Sequence, residues 1–160
     1  MKARSLHINF NSDQLRLSGI LHLPDIEKPP VVIGSHGLEG TKNSSKQQAL
    51  ARLLVQHGIA FFRFDHRGCG QSQGLFINDT SLEKRSRDLH DAVRAVMTTQ
   101  QTAEKVALFG SSMGGAACIN AWNRLLAENI ILCGAVVCAA PVDSLTIRNI
   151  PTSSTENRPD

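Results

Sequence analysis

A serine flanked by glycines is the residue of this chain with the clearest chemistry. Gly110-x-Ser112-x-Gly114 follows a short apolar run and opens an apolar helical pattern. Glycines at these two positions suit a sharp strand-to-helix turn, where side chains would collide with the neighbouring strand and helix. Ser111 does not fit, because its register lacks the first glycine. The spacing predicts that Ser112 is the nucleophile of an acyl-transfer reaction.

Two backbone amides are predicted to face the oxygen on which negative charge develops in such a reaction. The turn directs the Met113 amide toward that oxygen. The loop after Ile33 supplies a second amide, because Gly37 lets the backbone turn inward and Leu38 offers its N–H. Leu38 and Met113 are therefore the candidate oxyanion hole.

The base that would activate this serine is not evident. No histidine follows Ser112, and the histidines upstream are His7, His22, His36, His57, His66 and His90. His36 and His66 end predicted strands at the edge where Ser112 lies, so either could act as a displaced base if it came within about 3 Å. His57 and His90 lie in helical patterns, where a solvated or packed histidine is the usual interpretation. In subtilisin, removal of the serine or the histidine lowers turnover by about 10⁶, and roughly 10³–10⁴ over water remains.

Asp143 is the candidate for the acid of a catalytic triad. It lies just past the last apolar run, in Ala140-Pro141-Val142-Asp143. The alternative interpretation is an ordinary loop aspartate that forms a turn or caps a helix.

Strand and helix patterns alternate along the chain and predict an α/β fold. The predicted strands are 5–10, 15–23, 31–34, 59–64, 105–109 and 130–140, and the predicted helices are 45–57, a long helix after residue 80, and 114–126. The first two strands suggest an antiparallel hairpin. The others imply a parallel sheet, whose functional loops collect at the carboxyl ends of the strands. We expect one core over residues 1–151 and a polar tail over 152–160.

The long helix carries the only tight basic cluster of the chain. Thr80 and Glu83 form a capping-box pattern at its start. Lys84, Arg85 and Arg87 lie beside acidic residues, so we interpret the cluster as a solvated helix face. With 17 basic against 14 acidic residues, one Trp and no Tyr, the chain has no visible phosphate track or stacking platform for nucleic acid.

The last predicted strand is apolar on both faces, which suits the interior of a sheet. In this chain it would lie at the border unless something pairs with it. We therefore expect it to accept a second polypeptide or to drive self-association.

Three ordered motifs together resemble the α/β-hydrolase family. They are His36-Gly37-Leu38-Glu39-Gly40, the segment 64–72 with Asp65-His66-Arg67-Gly68, and Gly110-Ser111-Ser112-Met113-Gly114-Gly115. The sequence is most similar to the serine aminopeptidase-like and acyl-esterase-like members. The resemblance implies a mostly parallel twisted sheet with helices on both faces, a serine hydrolase acting through Ser112, and the last two strands of the family fold absent. It also implies that His36 supports the oxyanion loop and that Arg67 and Ser72 order the loop after the fourth strand.

Other classes of function have weaker support. Gly68-x-Gly70-x-x-x-Gly74 follows a strand, but the next helix begins too late for a phosphate site at its N-terminus. No cofactor or metal site is predicted, because the four cysteines lack paired ligand spacing. We interpret them as small buried residues in a reducing cytoplasm. No signal peptide or membrane span is predicted.

Two functional hypotheses remain. The first is a serine hydrolase that cleaves an ester, thioester or amide of a small acyl substrate and is weak or inactive without a base from elsewhere. The second is a non-catalytic remnant or small-molecule binding module with the same fold.

Overall fold

The computed structural model describes residues 3–141 and contains one six-stranded sheet with helices on both faces. The strands are β1 (Arg4–Ser12), β2 (Leu15–Leu23), β3 (Val31–Ser35), β4 (Ala60–Phe64), β5 (Lys105–Ser111) and β6 (Ile131–Cys138). The helices are α1 (Ser45–Gln56), α2 (Phe76–Asp79), α3 (Leu82–Thr98) and α4 (Met113–Ala127). The predicted elements are all present, and α2 is the one helix of this described part that the sequence did not indicate.

The strands lie in the order β1-β2-β4-β3-β5-β6. β1 and β2 form the predicted antiparallel hairpin, and β2 pairs antiparallel with β4. The remaining pairs are parallel. The hairpin turn lies at Asp13 and Gln14, which both have positive φ, as a two-residue turn between twisted strands requires. The α/β-hydrolase-type fold predicted from the sequence is confirmed.

The apolar core lies between the sheet and the pair of helices α3 and α4. The sheet contributes fully buried side chains such as Leu21, Ile33 and Phe62, and α3 contributes Leu89 and Val93. α1 packs on the other face, against β4 and β2. Because β3 and β5 each lie between two other strands, the loops that follow them have a neighbouring strand on both sides.

The start of α3 differs from the capping-box prediction. Ser81 is the N-cap and its Oγ accepts from the Lys84 N–H at 3.1 Å, whereas the Thr80 hydroxyl has no partner among the described residues. Ser81 and Thr80 are adjacent hydroxyl residues, and the backbone conformation at Ser81 (φ −149°, ψ 162°) selects it. The predicted pairing of Thr80 with Glu83 is therefore wrong by one residue.

Among residues 3–141, β6 is a border strand of the sheet and exposes apolar side chains. Val136 is 64% exposed and Ile131 is 50% exposed, and an apolar groove between α4 and β6 is lined by Ile119, Trp122, Asn123, Ala135 and Val137. Cys133 and Cys138 lie on this strand and are exposed, so the prediction of buried cysteines holds only for Cys69 and Cys118. Apolar neighbours in the sequence suggested burial for these two cysteines, but at the border of the described sheet their side chains are exposed.

Candidate active site

Ser112 lies in the turn between β5 and α4 in a strained conformation. Its φ of 52° and ψ of −128° belong to a region that residues other than glycine rarely adopt. Its side chain is exposed, and its N–H donates to the Cys138 carbonyl at 2.8 Å. The turn therefore holds an exposed hydroxyl at the carboxyl end of β5, an interior strand of the sheet.

Steric contact explains both glycines of the motif. A Cβ on Gly110 would lie 2.3 Å from the Gly114 carbonyl oxygen. A Cβ on Gly114 would lie 2.3 Å from the Ser35 carbonyl oxygen. Both contacts are with backbone, which cannot rotate away as a side chain could. The glycines thus let α4 begin directly against the ends of β3 and β5.

The loop of residues 36–40, the oxyanion loop, passes beside Ser112. A Cβ placed on Gly37 would lie 3.5 Å from the Ser112 Cβ. The Gly37 carbonyl accepts hydrogen bonds from the Gly40 N–H at 3.1 Å and from His36 Nδ1 at 2.7 Å. Met113 begins α4, so its N–H has no acceptor within the helix. The loops that carry Leu38 and Met113 are thus brought together around Ser112.

His36 is buried and uncharged. Its Nε2 accepts from the His66 backbone N–H at 3.1 Å, which places the ring proton on Nδ1, where it is donated to the Gly37 carbonyl. Burial holds the pKa of His36 well below its ordinary value, and the neighbouring His66 and cationic Arg85 act in the same direction. Both ring nitrogens are therefore occupied in supporting the oxyanion loop.

His66 forms a buried serine-histidine-aspartate cluster that does not include Ser112. Its Nε2 lies 2.8 Å from Ser35 Oγ and its Nδ1 lies 3.3 Å from Asp88 Oδ2. Burial lowers the pKa of His66 to about 4. Ser35, His66 and Asp88 are fully buried, so no substrate reaches that hydroxyl. Within residues 3–141 no histidine bonds the Ser112 hydroxyl, and the displaced-base hypothesis gains nothing from this geometry.

Asp88 ties α3 to the loop after β4. It accepts from the Arg67 backbone N–H at 3.0 Å and from Arg67 Nε at 2.8 Å. Burial by itself raises the pKa of Asp88, but hydrogen bonds from His66 and Arg67 outweigh it, and the pKa lies well below the ordinary value. Arg67 also donates to Ser12 and Asp13 in the hairpin, at 3.0 Å each. Arg67 therefore connects the hairpin, the loop and α3.

A buried ion pair connects the loops after β3 and β4. Lys42 Nζ donates to the Asp65 carboxylate, and both side chains are 1% exposed. Asp65 also accepts from the backbone N–H groups of Lys42 at 2.7 Å and Gln71 at 2.9 Å. Ser72 Oγ donates to the Asp65 carbonyl at 2.6 Å. Sequence reasoning missed Lys42, because a lysine among Thr41, Asn43 and two serines resembles a solvated loop.

The interpretation of Arg85 as part of a solvated helix face is wrong. Its side chain is fully buried, whereas Lys84 is 41% exposed and Arg87 is 38% exposed. Arg85 lies three residues after Leu82 and four before Leu89, which is the spacing of the buried face of α3. That periodicity was the available signal. The guanidinium is directed at the oxyanion loop.

Asp143, the candidate acid, lies outside the described residues, as does the predicted tail. Among residues 3–141, no helix is both long and apolar enough to cross a membrane.

Comparison with known proteins identifies the family of this chain. The family model "Serine aminopeptidase, S33" matches residues 27–153. The polyketide transferase GrgF of Penicillium sp. is 34% identical over 104 residues, which are 64% of this chain and 35% of that protein. The thiohydrolase AneE of Aspergillus aculeatus is 33% identical over 112 residues, which are 68% of this chain and 34% of that protein.

Solved structures place this chain within the same fold. The crystal structure of GrgF covers 90% of this chain with a TM-score of 0.74 and 28% identity, and the match covers 48% of GrgF. Est1E of Butyrivibrio proteoclasticus, solved with ferulic acid, covers 78% of this chain with a TM-score of 0.69 and 26% identity, and the match covers 50% of it. The chain thus spans about one third of these curated relatives and about half of these solved structures. The family match over most of its length shows that this chain belongs to the serine aminopeptidase S33-like α/β-hydrolases.

Proposed function

We propose that this chain supplies the nucleophile and oxyanion hole of a serine hydrolase for small acyl substrates. The observation that carries the proposal is the strained, exposed Ser112 beside the oxyanion loop. Ser112 Oγ attacks the acyl carbon and forms a C–O bond, while its proton passes to a base. The leaving group departs with a proton, and water then hydrolyses the acyl-enzyme.

Esters and thioesters are the preferred substrate classes in this proposal. AneE is named a thiohydrolase and GrgF a polyketide transferase, and Est1E is solved with ferulic acid. All three are consistent with acyl groups attached through sulfur or oxygen. Amides remain the third class.

The base and acid are proposed to reach the site beside β6. The strand exposes apolar side chains, including Val136 and Val137, and its outer edge has no pairing strand among the described residues. A second polypeptide or a second copy of this chain could pair there. The carboxyl end of a strand added parallel to β6 would then lie at the same sheet edge as Ser112.

One observation favours a non-catalytic binding module instead. Within the described residues, both ring nitrogens of His36 and of His66 are engaged away from Ser112. This second candidate keeps the fold and the oxyanion loop but not the chemistry.

Covalent labelling distinguishes the two candidates. A fluorophosphonate probe is expected to label the folded protein, and Ser112→Ala is expected to abolish the label. Ser111→Ala is the matched control at the neighbouring serine and is expected to keep it. Hydrolysis of small aryl esters and acyl thioesters is then compared among the three proteins. Absence of labelling and of Ser112-dependent turnover in the unaltered protein would favour the binding module.

A further inference from the structure

Arg85 places a buried positive charge directly behind the oxyanion loop. Its Nη2 donates to the carbonyls of His36 and Gly37, each at 3.0 Å, and its Nη1 donates to the carbonyl of Leu38 at 3.2 Å. No carboxylate forms an ion pair with it among the described residues. One guanidinium thus binds three consecutive backbone carbonyls.

Because the peptide bond is planar, these hydrogen bonds also fix the direction of the Leu38 N–H. The carbonyl of Gly37 and the N–H of Leu38 belong to one trans peptide unit and point in opposite directions. Three donors hold the Gly37 carbonyl toward Arg85. They are Arg85 Nη2 at 3.0 Å, His36 Nδ1 at 2.7 Å and the Gly40 N–H at 3.1 Å. The N–H of Leu38 must therefore point away from Arg85.

The cost of burying this charge argues that it is more than a space-filling side chain. A buried ionised group without a paired carboxylate is unfavourable, and an apolar side chain of similar volume is commonly as stable or more so. Burial lowers the pKa of Arg85 to about 10, so the group stays cationic near neutral pH. The fork of the guanidinium can bridge several carbonyls at once, which an apolar residue or a lysine cannot do.

We propose that Arg85 is a positioning residue that locks the peptide planes of the oxyanion loop so that the Leu38 N–H faces an acyl oxygen bound at Ser112. The inference rests on the proposed function for its catalytic part. The loop geometry that it explains is independent of turnover.

Arg85→Met tests this role, because methionine fills a similar volume without charge or donors. Removing one oxyanion-hole donor typically lowers turnover by about 10²–10³-fold. We expect fluorophosphonate labelling and aryl-ester kcat to fall by about 10²-fold with KM little changed. In ¹H–¹⁵N spectra we expect the amide resonances of Gly37, Leu38 and Gly40 to shift and broaden. Arg94→Met, at a largely exposed position on the same helix, is the matched control and should leave both readouts unchanged.

The outcomes separate the two proposals. If Arg85→Met folds and reacts like the unaltered protein, Arg85 has no positioning role. If the unaltered protein shows no Ser112-dependent reaction, the proposed function fails, and the amide resonances of the loop then test the inference about Arg85. Unperturbed amide resonances in Arg85→Met would overturn it, and perturbed ones would support the locking of the loop. If Arg85→Met does not fold, Arg85→Lys keeps the charge but loses the fork. It should then react about tenfold more slowly, and full rate with unperturbed amides would contradict the role.

Discussion

The sheet edge that carries Ser112 and the border strand β6 differ in which side chains are buried. Behind Ser112, buried charged and polar side chains hold the loops after β3 and β4, as Arg85 and the Lys42–Asp65 pair show. At the border, apolar side chains such as Val136 are exposed. The comparison teaches that side chains of this chain itself hold the loops around Ser112 in place. Along β6, by contrast, the described residues leave apolar side chains uncovered.

The largest expected loss of stability comes from breaking the buried ion pair between Lys42 and Asp65. Lys42→Met leaves the Asp65 carboxylate buried without its cation and should lower the free energy of unfolding by about 4 kcal/mol. Chemical denaturation measures this. Lys105→Met, at an exposed position at the start of β5, is the control and should cost less than about 0.5 kcal/mol. Equal effects would mean that the pair does not stabilise the loops.

The next effect is a loss of stability on acidification through the buried histidines. Because burial lowers the folded-state pKa of His66 to about 4, the unfolded chain binds its proton first, near pH 6.5. Stability is then lost as pH falls from about 6.5 toward 4, by about 3 kcal/mol from His66 alone. His36 acts in the same direction.

Denaturation curves between pH 7 and pH 4 measure this dependence. His66→Gln should flatten the profile, although it also lowers stability at pH 7. His57→Gln, at the exposed end of α1, is the control and should keep the original slope. An unchanged slope in His66→Gln would show that another group carries the dependence.

A pair of glycine substitutions compares the two regions directly. Gly114→Ala forces a Cβ to 2.3 Å from the Ser35 carbonyl oxygen and should cost about 2 kcal/mol. It should also displace the turn and abolish labelling at Ser112. Gly134→Ala, on β6, meets nothing within 4 Å and should stabilise by about 0.5 kcal/mol, because it restricts the unfolded chain. Thermal unfolding of both variants provides the test, and equal costs would remove the contrast between the two edges.

The smallest effect on stability is expected at the border itself. Val136 is 64% exposed, so Val136→Lys should change the free energy of unfolding by less than about 0.5 kcal/mol. It should nevertheless weaken association, because a lysine on a border strand opposes pairing. Sedimentation at rising protein concentration measures this. Ile77→Lys removes an apolar residue of α2 that is 71% exposed and should leave association unchanged.

The order of elements and the serine turn could be predicted because both depend on local sequence. Alternating and helical spacings indicate every strand and three of the four helices of residues 3–141. The glycines of the Ser112 motif report a steric need of their own turn. Leu38 follows from the family resemblance and the glycine before it, and the structure places its loop beside Ser112.

The buried polar residues that hold the loops after β3 and β4 could not be predicted in the same way. The partner of Lys42 is 23 residues away and that of His66 lies 22 residues away on α3. A polar residue has the same letter whether it is solvated or buried with a partner, so sequence alone does not separate the two cases. Arg85 is an exception, because its spacing from Leu82 and Leu89 indicated the buried face of α3 and the solvated-face interpretation overlooked it.

The sequence by itself determined the α/β order and the strained turn at Ser112, because these arise from short-range sterics and hydrophobic periodicity. Only the tertiary structure decided which charges are buried, since desolvation depends on what packs over a side chain. It also decided how far the apolar side chains of β6 are exposed, because exposure depends on which of the described elements pack over the strand. Arg85 and Val136 are the clearest examples, because the charged side chain of Arg85 is buried and the apolar side chain of Val136 is exposed.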